Sequence, residues 1–101
     1  MSIQITGADP ALHVRVYGKC YPLPCDWGLA GLITFGDNIS DTDHGYATAA
    51  YDSGYAIVAM TFERIDYDTL RVHTYEQFTD GSGRENFHSS EMFKRVRGIR
   101  R

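Results

Sequence analysis

The stretch "YAIVAMTFERIDYDTLRVHTYEQF", Tyr55 to Phe78, constrains the fold more than any other part of the chain. It holds two long runs of strict alternation separated by a short polar segment. In the first run Ala56, Val58, Met60 and Phe62 share one parity, and Ile57, Ala59, Thr61 and Glu63 the other. In the second, Leu70, Val72, Thr74, Glu76 and Phe78 alternate with Arg71, His73, Tyr75 and Gln77. Successive side chains of an extended strand point to opposite faces, so this pattern buries one face and leaves the other to water. "DYDT" between the runs has the composition of a tight turn. The pair is therefore expected to form an antiparallel hairpin, with Val58, Met60, Phe62, Leu70 and Val72 at the centre of the core.

The remaining segments extend the same pattern. "LHVRVYGK" alternates Leu12, Val14 and Val16 with His13, Arg15 and Tyr17. "GLITFG" is an apolar run bounded by glycines, and "GYATAAY" is compatible with a strand. "NFHSSEMFKRV" reads as a last strand, because Phe87 and Phe93 fall on one parity. "DNISDTDHG", "YDSG" and "TDGSGR" are turn-formers. About six strands without a convincing helix define an all-β fold, a small antiparallel β-barrel or sandwich. The chain of 101 residues is one domain by length, with 43% hydrophobic residues, enough for a core without obligatory staples. The expected division is a single β domain over residues 1–96 and a basic C-terminal tail over 97–101.

Charge is unevenly distributed. Lys94, Arg95, Arg97, Arg100 and Arg101 crowd the last eight residues, leaving five positive against thirteen negative charges, a net −8, on the rest. No aromatic residue interleaves the tail to stack on bases, and an acidic body repels phosphate, so no nucleic-acid partner is expected. No apolar run approaches the ~20 residues of a membrane span. "MSIQITGADPALHV" lacks a charged segment followed by an apolar one, so no signal peptide is expected in this stretch.

"KCYPLPCDWG" places the two cysteines five positions apart, with two prolines between them and the single tryptophan two residues on. A redox pair needs C-x-x-C beside a βαβ unit, and a zinc knuckle needs four ligands. The four histidines, His13, His44, His73 and His88, stand alone at no ligand spacing. A Cys20–Cys25 disulfide is the expected pairing, a clamp that fixes the exit of a strand and seats Trp27 over one end of the core. Such a bond favours an extracellular or periplasmic setting; without it the cytoplasm is favoured.

"VYGKCYPLPCDWG", followed downstream by "FTDGSGRENF", resembles a group of small microbial extracellular β domains. These open with Gly-Lys-Cys-x-Pro-x-x-Cys-Asp-Trp-Gly and close with Phe-Thr-Asp-x-Ser-Gly-Arg. The two motifs cover about a quarter of the chain. The resemblance implies an all-β fold and an extracellular setting; it implies no activity and no catalytic residue.

Motifs of enzymes are missing. There is no G-x-S-x-G, no H-E-x-x-H and no Walker loop, and no cofactor or metal is expected. Asp37, Asp41 and Asp43 crowd one loop in which calcium is the alternative to a solvated turn, but the EF-hand order is absent. Asn38-Ile39-Ser40 matches a glycosylation acceptor, a pattern too common to decide anything.

Two groups of candidate binding residues remain. Pairing Phe78 with Phe87 across "TDGSGR" places Thr74, Glu76, Ser89 and Glu91 on the core-facing parity. Glu76 and Glu91 would then mark a ligand pocket or an acid/base pair, unless a β-bulge turns them outward. Arg71, His73, Tyr75, Gln77 and His88 share the outward parity, where aromatic and planar polar groups suit recognition of a carbohydrate or a protein. The expected function is a small non-catalytic binding module for such a partner. The alternative is a miniature lipocalin-like barrel holding a small ligand in its interior, and a third, weaker reading is a hydrolase or metal-dependent enzyme using Glu76, Glu91 and a histidine. Nothing in the sequence sets an oligomeric state.

Overall fold

A computed structural model describes residues 2–8, 11–18, 23 and 25–95. The chain forms eight strands: β1 (Ser2–Thr6), β2 (His13–Gly18), β3 (Cys25–Gly31), β4 (Ile33–Phe35), β5 (Tyr46–Asp52), β6 (Ala56–Asp66), β7 (Thr69–Phe78) and β8 (Phe87–Lys94). They build two antiparallel sheets, β1-β2-β3 and β4-β5-β6-β7-β8. Within each sheet every strand lies beside its neighbour in sequence, so the topology is two meanders joined between β3 and β4.

The bend falls at Leu32. Its side chain enters the core, 6% exposed, and its N–H donates to the Leu12 carbonyl at 2.9 Å. One apolar run therefore supplies the end of one sheet and the start of the other. The expected count of about six strands rises to eight because "CDWGLAG", not expected as a strand, forms β3 ahead of the expected "GLITFG" strand, now β4, and "SIQIT" adds an edge strand. The two sheets do not close on each other, and among the described residues β1 and β3 edge the small sheet and β4 and β8 the large one. The fold is a sandwich, not a barrel.

The core lies where the period-two alternation places it. Val58, Met60, Phe62 and Val72 from the large sheet meet Val14 and Val16 of β2, with Leu32 and Ala49 completing the cluster and Leu70 and Phe93 packed at its margin. Val14, Val16, Met60 and Val72 are almost wholly excluded from water. The turn at Tyr67 and Asp68 joins β6 to β7 as a tight hairpin, with the Asp68 N–H donating to the Asp66 carboxylate at 2.9 Å. That amide, and then Thr69, hold the Asp66 carboxyl below its usual range.

A bulge in β3 sets the orientation of Trp27. Asp26 pairs with Tyr17 and Leu29 with Arg15, so Trp27 and Gly28 together oppose Val16. Gly28 has φ +91°, a conformation that glycine adopts without steric cost. The extra residue turns Asp26 outward, onto Arg15 at 2.7 Å, and Trp27 inward, edge-on to Tyr51 with ring centroids 6.0 Å apart. The Tyr51 hydroxyl donates to the carbonyls of Val14 and Gly28, at 3.1 and 3.2 Å, tying the large sheet to the bulge of the small one. Burial pushes this phenol's pKa up.

Cys20, and with it the expected Cys20–Cys25 disulfide, lies outside the described residues, as do the boundary at residue 96 and the tail 97–101. No helix among the described residues is long and apolar enough to cross a membrane.

Candidate functional site

The two outer faces of the sandwich differ in chemistry. On the small sheet the outward residues are Ser2, Gln4 and Thr6, then His13, Arg15 and Tyr17, then Asp26 and Leu29. That face is polar and carries the Arg15–Asp26 ion pair. The large sheet instead presents Ile33, Phe35 and Tyr46 at one side, and Tyr75 and Met92 at the other, each 44–63% exposed. Between them run the small residues Thr48, Ala50, Ala59 and Thr61 of β5 and β6. An uncovered sheet face of this composition is unusual for a surface meant only for water.

The structure places Arg71, His73, Tyr75, Gln77 and His88 together on this face. Arg71 donates to Glu63 at 3.2 Å, so its charge is matched. His73 and His88 meet with Nδ1 and Nε2 3.0 Å apart. The Tyr75 ring lies against His88, centroids 4.8 Å apart and tilted by 32°. Beside them a shallow groove of about 390 Å³ is lined by Ile57, Ala59, Tyr75, Glu76, Gln77, Asn86, Phe87 and His88. The expectation that each histidine stands alone is therefore corrected for this pair. Their separation of fifteen residues carries no ligand signature; the β7–β8 hairpin brings them together.

Glu76 and Glu91 follow a different course from the one expected. The β7–β8 register pairs Glu76 with Phe87, Thr74 with Ser89 and Val72 with Glu91, not Phe78 with Phe87. The Phe78 and Phe87 rings still approach diagonally, centroids 6.1 Å apart. No bulge interrupts this ladder, so both carboxylates sit on the core-facing side. Their surroundings differ, because three facing strands span ~10 Å and five span ~19 Å. The small sheet leaves β8 overhanging, and Glu91 is exposed. Glu76 is half-buried and lines a cleft of about 440 Å³ between the sheets, with Trp27, Tyr51, Asp52, Tyr55 and Val58. Four register positions separate the two carboxylates, roughly 13 Å of strand. That is wider than the separation at which two carboxylates flank a single glycosidic bond. The buried Thr74 hydroxyl beside Glu76 has no hydrogen-bond partner among the described residues.

The loop of aspartates is occupied by its own protein. Asp41 accepts from the N–H groups of Asp37 at 2.8 Å and Asp43 at 2.9 Å, which hold its carboxyl below the usual range. Asp43 pairs with Arg64 at 2.7 Å. Among the described residues no three His, Cys, Asp or Glu side chains converge on one point.

Sequence reasoning missed two groups. Ile33, Phe35, Tyr46 and Met92 complete the outward face, and the parity of "YATAAYD" against the core was the available signal for Tyr46. Trp27, Tyr51, Asp52 and Tyr55 converge on the inter-sheet cleft only through the β3 bulge and the β5–β6 hairpin, which no periodicity reveals.

Fold and site together define a small two-layer β-sandwich with one polar and one aromatic, partly apolar outer face. Comparison of the chain with protein-family models, with curated proteins and with solved structures finds no match to any of them.

Proposed function

We propose that the chain is a non-catalytic binding module that docks a protein partner on the outer face of its large sheet. One observation carries the reading: Ile33, Phe35, Tyr46, Tyr75 and Met92 stand exposed on the outer face of the large sheet around a middle of small residues, whereas among the outward residues of the small sheet Leu29 is the one exposed large apolar side chain. The five strands cover about 19 Å by 30 Å, roughly 600 Å², which approaches the ~800 Å² per partner of a stable interface. The groove at Tyr75 and His88 gives an anchoring side chain a seat, with the Gln77 and Asn86 amides at its rim. A photo-crosslinker at position 59 should capture a partner that the same group at position 4 does not, and Ala59→Arg should abolish capture without unfolding. Equal capture at both positions would overturn the proposal. Binding on a glycan array that depends on Tyr75 and His88 would replace the protein by a carbohydrate.

A second reading concerns the inter-sheet cleft. Its half-buried Glu76 shares the lining with Trp27, Tyr51 and Tyr55, a setting for a small ligand with a cationic or hydroxyl group. A Cys20–Cys25 bond would brace this end, since Cys25 lines the same cleft. Trp27 is the sole tryptophan, so its fluorescence reports occupancy directly.

A further inference from the structure

We infer that His73 and His88 form a surface site for a borderline divalent cation, of the class that includes Ni²⁺, Zn²⁺ and Cu²⁺. The inference is independent of the protein-docking reading, although the pair lies on the same face. It starts from ring geometry. The facing nitrogens are 3.0 Å apart, the ring centroids 5.3 Å, and the ring planes differ by 15°. The centroid and nitrogen distances differ by about two imidazole ring radii. The N···N line therefore runs along the line of centres, and the rings meet edge to edge in nearly one plane. They are joined by an in-plane N–H···N hydrogen bond, not stacked face to face.

That bond needs one facing nitrogen protonated and the other bare. A cation that prefers imidazole can take the place of the shared proton. At a metal–nitrogen distance of ~2.1 Å, two imidazoles on one ion stand ~3.0 Å apart at a right angle and ~3.4 Å at the tetrahedral angle. The observed separation already matches the first. Because the facing nitrogens point at each other along the N···N line, ligation asks each ring to turn by about 45° through its side-chain torsions so that both lone pairs aim at one point. The ring that carried the facing proton moves it to its remote nitrogen, so two neutral imidazoles bind without net proton release.

The surroundings favour this use. His73 is flanked across the ladders by Thr61 and Ser90, two hydroxyls suited to holding the waters that fill the remaining coordination positions. The nearest cationic side chain on β7, Arg71, is matched by Glu63 at 3.2 Å. Tyr75 covers one side of His88 and limits its rotation. His13 lies on the opposite outer face, and His44 Nδ1 is 3.0 Å from the Thr34 hydroxyl, so each supplies a control. With two protein ligands the site is exchangeable, unlike a closed structural zinc site.

The test titrates the full chain with NiCl₂ in a non-coordinating buffer at pH 7.5, followed by calorimetry. One equivalent should bind, and His73→Gln or His88→Gln should each weaken binding about tenfold or more, as expected when the second ligand of a chelate is lost. His13→Gln and His44→Gln should leave it unchanged. Nickel-induced broadening of wild-type NMR signals is the second measurement and does not depend on whether the variants fold. Broadening centred on His73, Tyr75, His88 and Ser90 supports the site. Absence of binding at millimolar nickel, equal binding by the variants, or broadening centred on His13 or His44 overturns it.

Discussion

Phe62→Ala and Thr61→Ala together test the assignment of faces on which the functional reading depends. Phe62 is 4% exposed on β6, between Ala47 of β5 and Val72 of β7. Its ring contributes ~150–200 Å² of apolar surface, worth roughly 4–5 kcal/mol at ~25 cal/mol per Å². A compact unfolded chain already hides part of that area, which lowers the figure to about 3 kcal/mol. The cavity left behind raises it again, giving about 3–5 kcal/mol in all. Thr61 lies one residue away on the outward face, half-buried between Thr48 and His73. Removing its hydroxyl and methyl should cost about 0.5–1 kcal/mol. Urea unfolding followed by Trp27 fluorescence and circular dichroism measures both. At a slope of about 1.5 kcal/mol per molar urea, Phe62→Ala should lower the midpoint by roughly 2–3 M and Thr61→Ala by under about 0.7 M. A near-neutral Phe62→Ala beside an unfolded Thr61→Ala would invert the faces. Arg71, His73, Tyr75 and Gln77 would then line the interior, and both the docking face and the histidine pair would be lost.

Two further outcomes are expected. The Asp80 carboxyl is held down to about 2, first by the Ser82 hydroxyl and then by the Ser82 N–H and Arg84. Because the folded value lies below the unfolded one of ~3.9, its contribution to stability is complete above that pH and fades as pH falls toward 2. Carboxyl NMR titration should find this value, Ser82→Ala should raise it, and a normal titration in the parent protein would discard the assignment. For the cysteines, intact mass should rise by about two hydrogens on reduction, and the clamp should contribute roughly 2 kcal/mol; alkylation of two thiols without reductant would remove it from the account.

Much of the fold was legible in local pattern because a strand has a fixed side-chain period of two. Val58, Met60, Phe62 and Val72 on one side, and Arg71, His73, Tyr75 and Gln77 on the other, follow from that period alone. The turns were legible for a similar reason, since glycine and aspartate at Tyr55's and Thr69's approaches satisfy backbone conformations and N–H groups that few other residues do. Such signals are contained within a few residues. They require no knowledge of what lies across the core.

The sequence by itself thus determined an all-β chain, its hairpins and the two faces of its long strands. Only tertiary structure decided what those faces meet. Glu76 and Glu91 share one parity, yet the first lines a cleft and the second is solvated, because coverage depends on how far a three-stranded sheet extends over a five-stranded one. Leu32 divides one apolar run between two sheets, and a single extra residue in β3 turns Trp27 inward. His73 and His88 meet at 3.0 Å because the β7–β8 ladder pairs Tyr75 with His88. A slip of two residues, which preserves every face and every period, would part them. Periodicity fixes the side on which a residue stands, whereas register and sheet width are set by long-range pairing and packing, and these made the candidate sites.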